Sequence, residues 1–191
     1  MIQPYATGRL TLRPLAARDE GAFVHYHQVS FDALSRWSPS LTRETDLIAR
    51  FRAELDKAEG HAAGQHLKLV AELDGGQLAA LVSLTEIVRG AFHNAYAGWS
   101  VRSDLTGQGI ATEAVGGLLD VAFAPPPVGI GLHRVQANII PANVASLRVA
   151  EKVGLRREGV ALRYLHIGGM WQDHVMFALT AEERPRPQEG G

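Results

Sequence analysis

The segment that most restricts the fold of this chain is 105–113, Leu-Thr-Gly-Gln-Gly-Ile-Ala-Thr-Glu. The alternating run Ala95–Val101 before it predicts a strand, and Thr112–Phe123 after it carries apolar side chains at helical spacing. The two glycines therefore lie where a strand gives way to a helix. Such a junction presents unpaired backbone N–H groups beside the positive end of a helix dipole. This arrangement favours the binding of a phosphate group.

Composition narrows the class of protein. The 191 residues suffice for one well-buried domain and are too few for two of ordinary size. A net charge of −1 gives no sign of a nucleic-acid partner, and no apolar run approaches the roughly 20 residues of a membrane span. The absence of cysteine excludes disulfides and cysteine-ligated metals. The opening Met-Ile-Gln-Pro-Tyr lacks the features of a signal peptide, so we expect a cytoplasmic location.

Hydrophobic periodicity and turn residues predict helices and strands in a mixed order rather than a strict alternation. The predicted strands are 9–15, 66–73, 77–88, 95–101, 134–140, 157–167 and 171–179. The predicted helices are 19–29, 31–37, 43–59, 112–123 and 143–153. We therefore predict a mixed α/β (α+β) fold with a mostly antiparallel sheet and helices on both faces. The one parallel unit is expected over 95–140, and the domain over 1–183, with a disordered tail at 184–191.

Further motifs accompany the glycine turn. They are Thr11-Leu-Arg-Pro-Leu15, His133-Arg134-Val135, Asn143-Val-Ala-Ser146, Glu151-Lys152-Val-Gly154, Arg156-Arg157-Glu158-Gly159, Tyr164 and Gly169-Met-Trp-Gln-Asp173-His174. Together with Gly107, Gly109, Ala111, Glu113 and Ala114, they resemble the GNAT acetyltransferase superfamily over about residues 8–183. Within it, the chain is most similar to the RimJ/RimL-like branch, which acetylates N-terminal amines of ribosomal proteins.

The resemblance implies a sheet splayed open between strands 95–101 and 134–140, with acetyl-CoA in the gap. Its pyrophosphate would contact backbone N–H groups of about Thr106–Ala111, and its pantetheine arm would pair with Trp99–Arg102 as a pseudo-strand. Position 106 is Thr, where the superfamily usually has Gln or Arg. Because the loop binds through its backbone, we expect it to bind the cofactor all the same. The residues assigned to the cofactor in this way are Trp99, Ser100, Val101, Arg102, Thr106, Gly107, Gln108, Gly109, Ile110, Ala111, Thr112, Asn143, Ser146 and Lys152.

Attack of an amine on a thioester also needs a donor for the carbonyl oxygen and an acid for the leaving thiolate. A backbone N–H near Ser100 or Val101 is expected to serve the oxygen. Many GNAT enzymes take the acid from a Tyr seven residues after the motif Asn, but here that position is Ala150. Ser146 is similar to the serine proposed for this role in RimL-like enzymes. The alternative is that Ser146 merely hydrogen-bonds within its own helix.

The general base is left open. Glu86, near the end of strand 77–88, would relay a proton through water or be an ordinary solvated glutamate. His174 has a suitable unperturbed pKa or is a structural histidine. Glu113 lies in a first helical turn, where the dipole alone favours an acid. His25 and His27 are two apart on a helix and point to different sides, so no metal site is expected.

The sequence therefore predicts an acetyl-CoA-dependent N-acetyltransferase in which a primary amine attacks the thioester directly. The acceptor remains open among a protein N-terminus, an amino acid, a polyamine and an aminoglycoside. The transferred group also remains open, since other acyl groups such as succinyl are possible. The alternative class is a non-catalytic acyl-CoA-binding module. A dinucleotide oxidoreductase is rejected because the third glycine is missing and the loop is not in a first βαβ unit. A homodimer is suggested by family habit alone.

Overall fold

The computed structural model describes residues 2–38, 40–59 and 64–184. The strands are β1 (Tyr5–Ala6), β2 (Leu10–Pro14), β3 (Leu67–Leu73), β4 (Gln77–Val88), β5 (Asn94–Val101), β6 (Arg134–Ile139), β7 (Arg156–Ile167) and β8 (Met170–Thr180). The helices are α1 (Glu20–Val29), α2 (Phe31–Leu34), α3 (Leu47–Glu59), α4 (Ile110–Phe123) and α5 (Val144–Lys152). In the described residues, no helix is both long enough and apolar enough to cross a membrane.

All eight strands belong to one sheet, in the order β1-β2-β3-β4-β5-β6-β8-β7. Within the described residues every pairing is antiparallel except that of β5 with β6. The predicted mixed fold with one parallel unit is therefore confirmed. The final hairpin places its second strand, β8, beside β6 and leaves β7 at the edge of the sheet.

The parallel pair is joined over three residues only. Its register runs from Asn94 opposite Arg134 to Tyr96 opposite Gln136, and the two strands then separate. β5 continues over 97–101, where it stays paired with β4 along its other edge. Its free edge therefore borders an opening in the middle of the sheet, as the family resemblance implies.

Helices cover both faces of the sheet, as predicted. On one face α4 buries Val115, Leu118 and Leu119 against a cluster that also holds Ala150 of α5. On the other face Phe23 and Tyr26 of α1 pack with Phe51 of α3. The opening between β5 and β6 thus lies between two helical layers.

Several boundaries differ by a few residues from those predicted from sequence; α2, for example, ends at Leu34 rather than at 37, and α4 begins at Ile110 rather than at 112. α3 begins at Leu47 rather than at 43, because Asp46 Oδ1 accepts the backbone N–H groups of Ile48 and Ala49 at 2.9 and 3.0 Å and so caps the helix. At the C-terminal end Arg184 belongs to the folded part, since its Nε donates to Asp120 Oδ1 at 2.9 Å. The rest of the tail predicted to be disordered, 185–191, lies outside the described residues.

Candidate active site

A cleft of about 700 Å³ lies at the opening of the sheet. One end, here called the loop arm, is lined by the glycine turn and α5. The other end, the α3 arm, is lined by α1, α2, α3, residues 37, 38 and 41, and parts of β3 and β4. The loop arm consists of Leu105, Thr106, Gly107, Gly109, Ile110, Ala111, Thr112, Asn143, Ala145, Ser146, Arg148, Val149 and Lys152. The α3 arm consists of His27, Ala33, Leu34, Trp37, Ser38, Leu41, Arg50, Lys68, Leu81 and Ser83. Gly98, Trp99, Ser100 and Val101 of β5 line the junction between the two arms.

The glycine turn has the backbone geometry that the sequence predicts. Gly107 and Gly109 have φ values of 78° and 80°, in the left-handed region that glycine adopts most easily. Gly109 is the N-cap of α4, and the N–H of Glu113 makes the first bond of the helix, to Gly109 O. The preceding N–H groups have no partner within the helix and suit an anion. The Thr106 hydroxyl donates to Ser103 O at 2.8 Å, so this side chain stabilises the turn itself.

An ion pair behind the turn holds it against the start of the chain. The Glu113 carboxylate accepts from Thr7 Oγ1 at 2.7 Å and from Arg9 Nε at 2.8 Å, and Arg9 Nη1 donates to Gln108 O at 3.1 Å. Burial alone would raise the pKa of the Glu113 carboxyl, but hydrogen bonds from Thr7 and Arg9 outweigh it and hold that pKa below its usual value. Glu113 therefore fixes the loop. Gln108 does not line the cleft, although its peptide belongs to the turn.

The start of α5 brings the two motif residues to the loop arm. Asn143 caps the helix, its Oδ1 accepting the Ser146 N–H at 3.2 Å, so its amide NH₂ remains available to a ligand. The Ser146 hydroxyl makes no hydrogen bond with any of the described residues, so a bond within its helix is not seen. Ala150 is fully buried in the core. Arg148 and Lys152 add two positive charges to this end of the cleft.

The free edge of β5 offers backbone donors to the opening. The N–H of Arg102 donates to Ala79 O at 2.9 Å, on the β4 side. Because N–H groups alternate in direction along a strand, those of Trp99 and Val101 face the opening, and that of Ser100 faces β4. Of the two expected donors to a thioester oxygen, Val101 is therefore the better placed. Ser100 instead accepts through Oγ from the hydroxyl of buried Tyr26 at 2.7 Å.

Arg102 departs from its expected place beside the cofactor. Its guanidinium is 7% exposed and donates to Asp104 at 2.7 and 2.9 Å, and the residue does not line the cleft. With its N–H also engaged by β4, Arg102 is not available to a pseudo-strand, and the free edge of β5 ends at Val101.

The two candidate bases lie outside the cleft. Glu86 is exposed on a β-bulge with φ 49°, where the register of β4 with β5 shifts. His174 is 2% exposed, its Nδ1 bonds to Gln172 O at 3.1 Å, and its ring stacks edge-on against Tyr164 at 5.4 Å. Burial, Tyr96 and the charge of Glu86 together raise the pKa of Tyr164, so Glu86 lies near this cluster. Neither Glu86 nor His174 lines the cleft.

The α3 arm contains a histidine and two cations that the sequence did not assign to the site. His27 is 6% exposed, and its Nδ1 bonds to Phe23 O at 2.9 Å, which places the ring proton on Nδ1. Burial, together with the charges of Arg50 and Lys68, lowers the pKa of His27 to about 4. His25 is exposed, so the two histidines point to different sides as predicted. Within the described residues, three His, Asp or Glu side chains do not come together as metal ligands would.

Known proteins resemble this chain in sequence. A family model described as "Acetyltransferase (GNAT) domain" matches residues 9–156. The probable N-acetyltransferase YjcK of Bacillus subtilis is 35% identical over 132 residues, which cover 69% of this chain and 68% of that protein. The [ribosomal protein uS5]-alanine N-acetyltransferase of Escherichia coli is 29% identical over 179 residues, which cover 93% of this chain and 90% of that protein.

Solved structures agree with the sequence relatives. Mycobacterium smegmatis RimJ in complex with CoA-disulfide superposes with a TM-score of 0.81 at 33% identity, covering 97% of this chain and 89% of that one. The ribosomal-protein-S5-alanine acetyltransferase of Vibrio fischeri superposes with a TM-score of 0.82 at 26% identity, covering 96% of this chain and 100% of that one.

Proposed function

This chain belongs to the GNAT acetyltransferase family, and on that premise we propose that it transfers the acetyl group of acetyl-CoA to the N-terminal α-amine of a protein or peptide. One observation carries the proposal: a single cleft joins the glycine turn to the α3 arm through the free edge of β5. An acyl donor and an amine that enter from opposite arms would meet at Val101. Direct attack then needs no acyl-enzyme, and the chain has no cysteine to form a thioester with.

In this proposal the loop arm binds the donor. The N–H groups of the glycine turn and the charges of Arg148 and Lys152 bind its phosphates, and the Asn143 amide donates to the pantetheine arm. The arm pairs with the free edge of β5 at Trp99 and Val101. These contacts hold the thioester at the junction of the two arms.

Few protein groups then act on the reacting atoms. The amine nitrogen attacks the thioester carbon, the Val101 N–H donates to the oxygen on which charge develops, and the C–S bond breaks. The Ser146 hydroxyl gives its proton to the leaving sulfur and regains one, through water, from the attacking nitrogen as the amide forms. The ammonium loses its proton to water, and Glu86 and His174 act only through such water, because neither lines the cleft.

The charges of the α3 arm favour an N-terminal amine over a polyamine. The residues that line the cleft include Arg50 and Lys68 but no Asp or Glu, so a polycation finds no opposite charge there. An N-terminal amine carries one charge on an otherwise neutral backbone. The E. coli relative and the V. fischeri structure are named as acetyltransferases of an alanine of ribosomal protein S5, so a protein acceptor also has support among the relatives.

The test is the release of CoA thiol from acetyl-CoA with a panel of amines. Peptides with a free N-terminal alanine should turn over, and the same peptides with a blocked N-terminus should not. Spermidine and an aminoglycoside serve as polycationic acceptors, and succinyl-CoA as the alternative donor. Faster turnover of spermidine than of every peptide would overturn the assignment of the acceptor. CoA binding without turnover of any amine would instead indicate a non-catalytic acyl-CoA-binding module.

A further inference from the structure

We propose that the acceptor carries a carboxylate close to its amine, and that Arg50 in the α3 arm binds that carboxylate. The inference rests on the proposed function, since it concerns the group that is acetylated. Its physical basis is the positively charged guanidinium of Arg50, a residue that lines the cleft. Within the described residues, the fold does not satisfy all of the hydrogen-bond donors of this guanidinium.

Arg50 is held in place but not neutralised. Its Nη1 donates to Ser40 O at 3.1 Å and to Ser40 Oγ at 2.9 Å, which fixes the guanidinium against Ser40. Its Nε is buried, and among the described residues it has no hydrogen-bond partner. A buried donor without a partner is costly, and a charged one more so, which favours a ligand that supplies an oxygen.

The acids near Arg50 are already engaged. Glu54, one helical turn further along α3, pairs with Lys68 at 3.1 Å and lies 3.7 Å from Lys57. Lys68 is thereby largely neutralised, whereas Arg50 forms no ion pair within the described part of the chain. The α3 arm therefore contains one excess positive charge from a side chain that lines it.

The surroundings strengthen this charge. Leu34, Trp37 and Leu41 line the same arm, and an ion pair beside such apolar side chains is stronger than it is in bulk solvent. His27 stays neutral at pH 7 because burial and the charges of Arg50 and Lys68 lower its pKa to about 4. It therefore adds no second positive charge. A guanidinium in such a pocket has the fork geometry that matches a carboxylate.

The carboxylate has two sources that fit direct attack by an α-amine, the second of which would widen the proposed acceptor to free amino acids. It is either the side chain of Asp or Glu near the N-terminus of a peptide, or the α-carboxylate of a free amino acid. Both bring one negative charge within a few bonds of the amine.

The test compares matched acceptors. Peptides with an N-terminal alanine carry Glu at the second, third or fourth position in turn, each with a Gln twin and a Lys twin, and alanine is compared with alaninamide. Because hydrogen bonds to charged groups are strong, kcat/KM should fall about 10- to 100-fold from Glu to Gln in one peptide series, or from alanine to alaninamide, and further with Lys. The responding series identifies the source.

Variants then assign the effect to Arg50. Arg50→Gln should abolish the preference for the acid, and Arg50→Lys should keep part of it. Arg52→Gln is the matched control, because Arg52 lies on the same helix, has a 70% exposed side chain and is absent from the cleft. Melting temperature and CoA affinity are measured for each variant, and the comparison of twins within one variant is independent of how much of it is folded.

Failure of this inference differs from failure of the proposed function. Equal kcat/KM for acid and amide in every pair, or a preference that persists in Arg50→Gln, overturns the role of Arg50. Binding of each twin in the presence of CoA is also measured by calorimetry. Arg50-dependent binding of the acid twin without turnover supports the carboxylate site and overturns the proposed reaction. Equal binding of the twins without turnover overturns both.

Discussion

At the scale of single residues, the proposed chemistry depends on Ser146. Its hydroxyl lines the loop arm and is not hydrogen-bonded within the described chain, so it is free to protonate the departing sulfur. Ser146→Ala should lower kcat about tenfold or more near pH 7, with less effect as pH approaches 9, since a thiol of pKa near 8.5 leaves more readily as the thiolate.

The measurement is kcat from thiol release across pH 7–9. Ser146→Thr retains the hydroxyl and should recover part of the rate, whereas an alanine variant with wild-type turnover at every pH would remove Ser146 from the mechanism. Because Asn143 Oδ1 bonds to the Ser146 backbone, the cap of α5 is kept in both variants.

His27 makes a separate prediction about stability. Its pKa is about 4 in the folded chain and about 6.5 when unfolded, so the unfolded state binds more protons between these values. The contribution is complete above pH 6.5 and is lost as pH falls towards 4, by up to about 3 kcal/mol. His27→Gln should remove this pH dependence from the free energy of unfolding.

Urea unfolding between pH 4.5 and 7.5 tests the His27 prediction, with exposed His25→Gln as the matched control. Asp19, Glu54 and Glu113 also have lowered pKa values. The stability that these carboxylates contribute is lost only as the pH falls below their ordinary pKa of about 4, which lies below this pH range. Parallel pH profiles for wild type and His27→Gln would contradict the prediction.

The position of a residue in the fold could be predicted from sequence where a motif is local. Asn143, Ser146 and the two glycines lie within short segments whose backbone geometry follows from their own residues, and the structure places all of them in the cleft. Arg50 gave no such signal, because its place in the site depends on how α3 packs against the sheet. That Glu86 would not line the cleft could not be predicted for a related reason: it lies at a β-bulge, and bulges are hard to see in a single sequence.

At the scale of elements, the glycine turn unites β5, α4 and the start of the chain. Gly109 has φ 80°, and a Cβ there would lie 3.4 Å from Arg9 Nη2, in the clamp that Arg9 forms with Glu113. Gly109→Val should therefore distort the turn and weaken CoA binding about tenfold or more, because a β-branched residue is strained at positive φ.

Gly75→Val is the matched control for this turn. Gly75 has φ 88° in the β3–β4 hairpin, with no atom within 4 Å of its ideal Cβ, so backbone strain is comparable, but Gly75 does not line the cleft. Calorimetric titration with CoA should show wild-type affinity for this variant. Equal losses of affinity in both variants would mean that general destabilisation, rather than the turn, controls binding.

At the scale of the whole molecule, the sequence predicted which segments form strands better than it predicted the order of the strands in the sheet. Alternation, Gly-Gly turns and caps gave seven of the strands nearly at their observed bounds, because these signals are local. The place of β8 between β6 and β7 depends on contacts across the chain, for example Val135 opposite Leu179, which no local pattern encodes. The opening between β5 and β6 was expected only through the family resemblance, since a missing set of hydrogen bonds leaves no periodic signal.

The opening leads to a last prediction about the whole fold. A ligand that bridges the turn, β5 and α5 connects both sides of the splayed sheet and binds the folded state alone. At about 100 times its Kd, CoA should stabilise the chain by about 2.7 kcal/mol, which raises the melting temperature by about 5–10 °C for a domain of this size. NAD carries a pyrophosphate but no pantetheine arm to pair with β5, so it should produce a much smaller shift. Differential scanning calorimetry with each ligand decides the matter, since equal shifts would mean that the turn binds pyrophosphate without help from the free edge of β5.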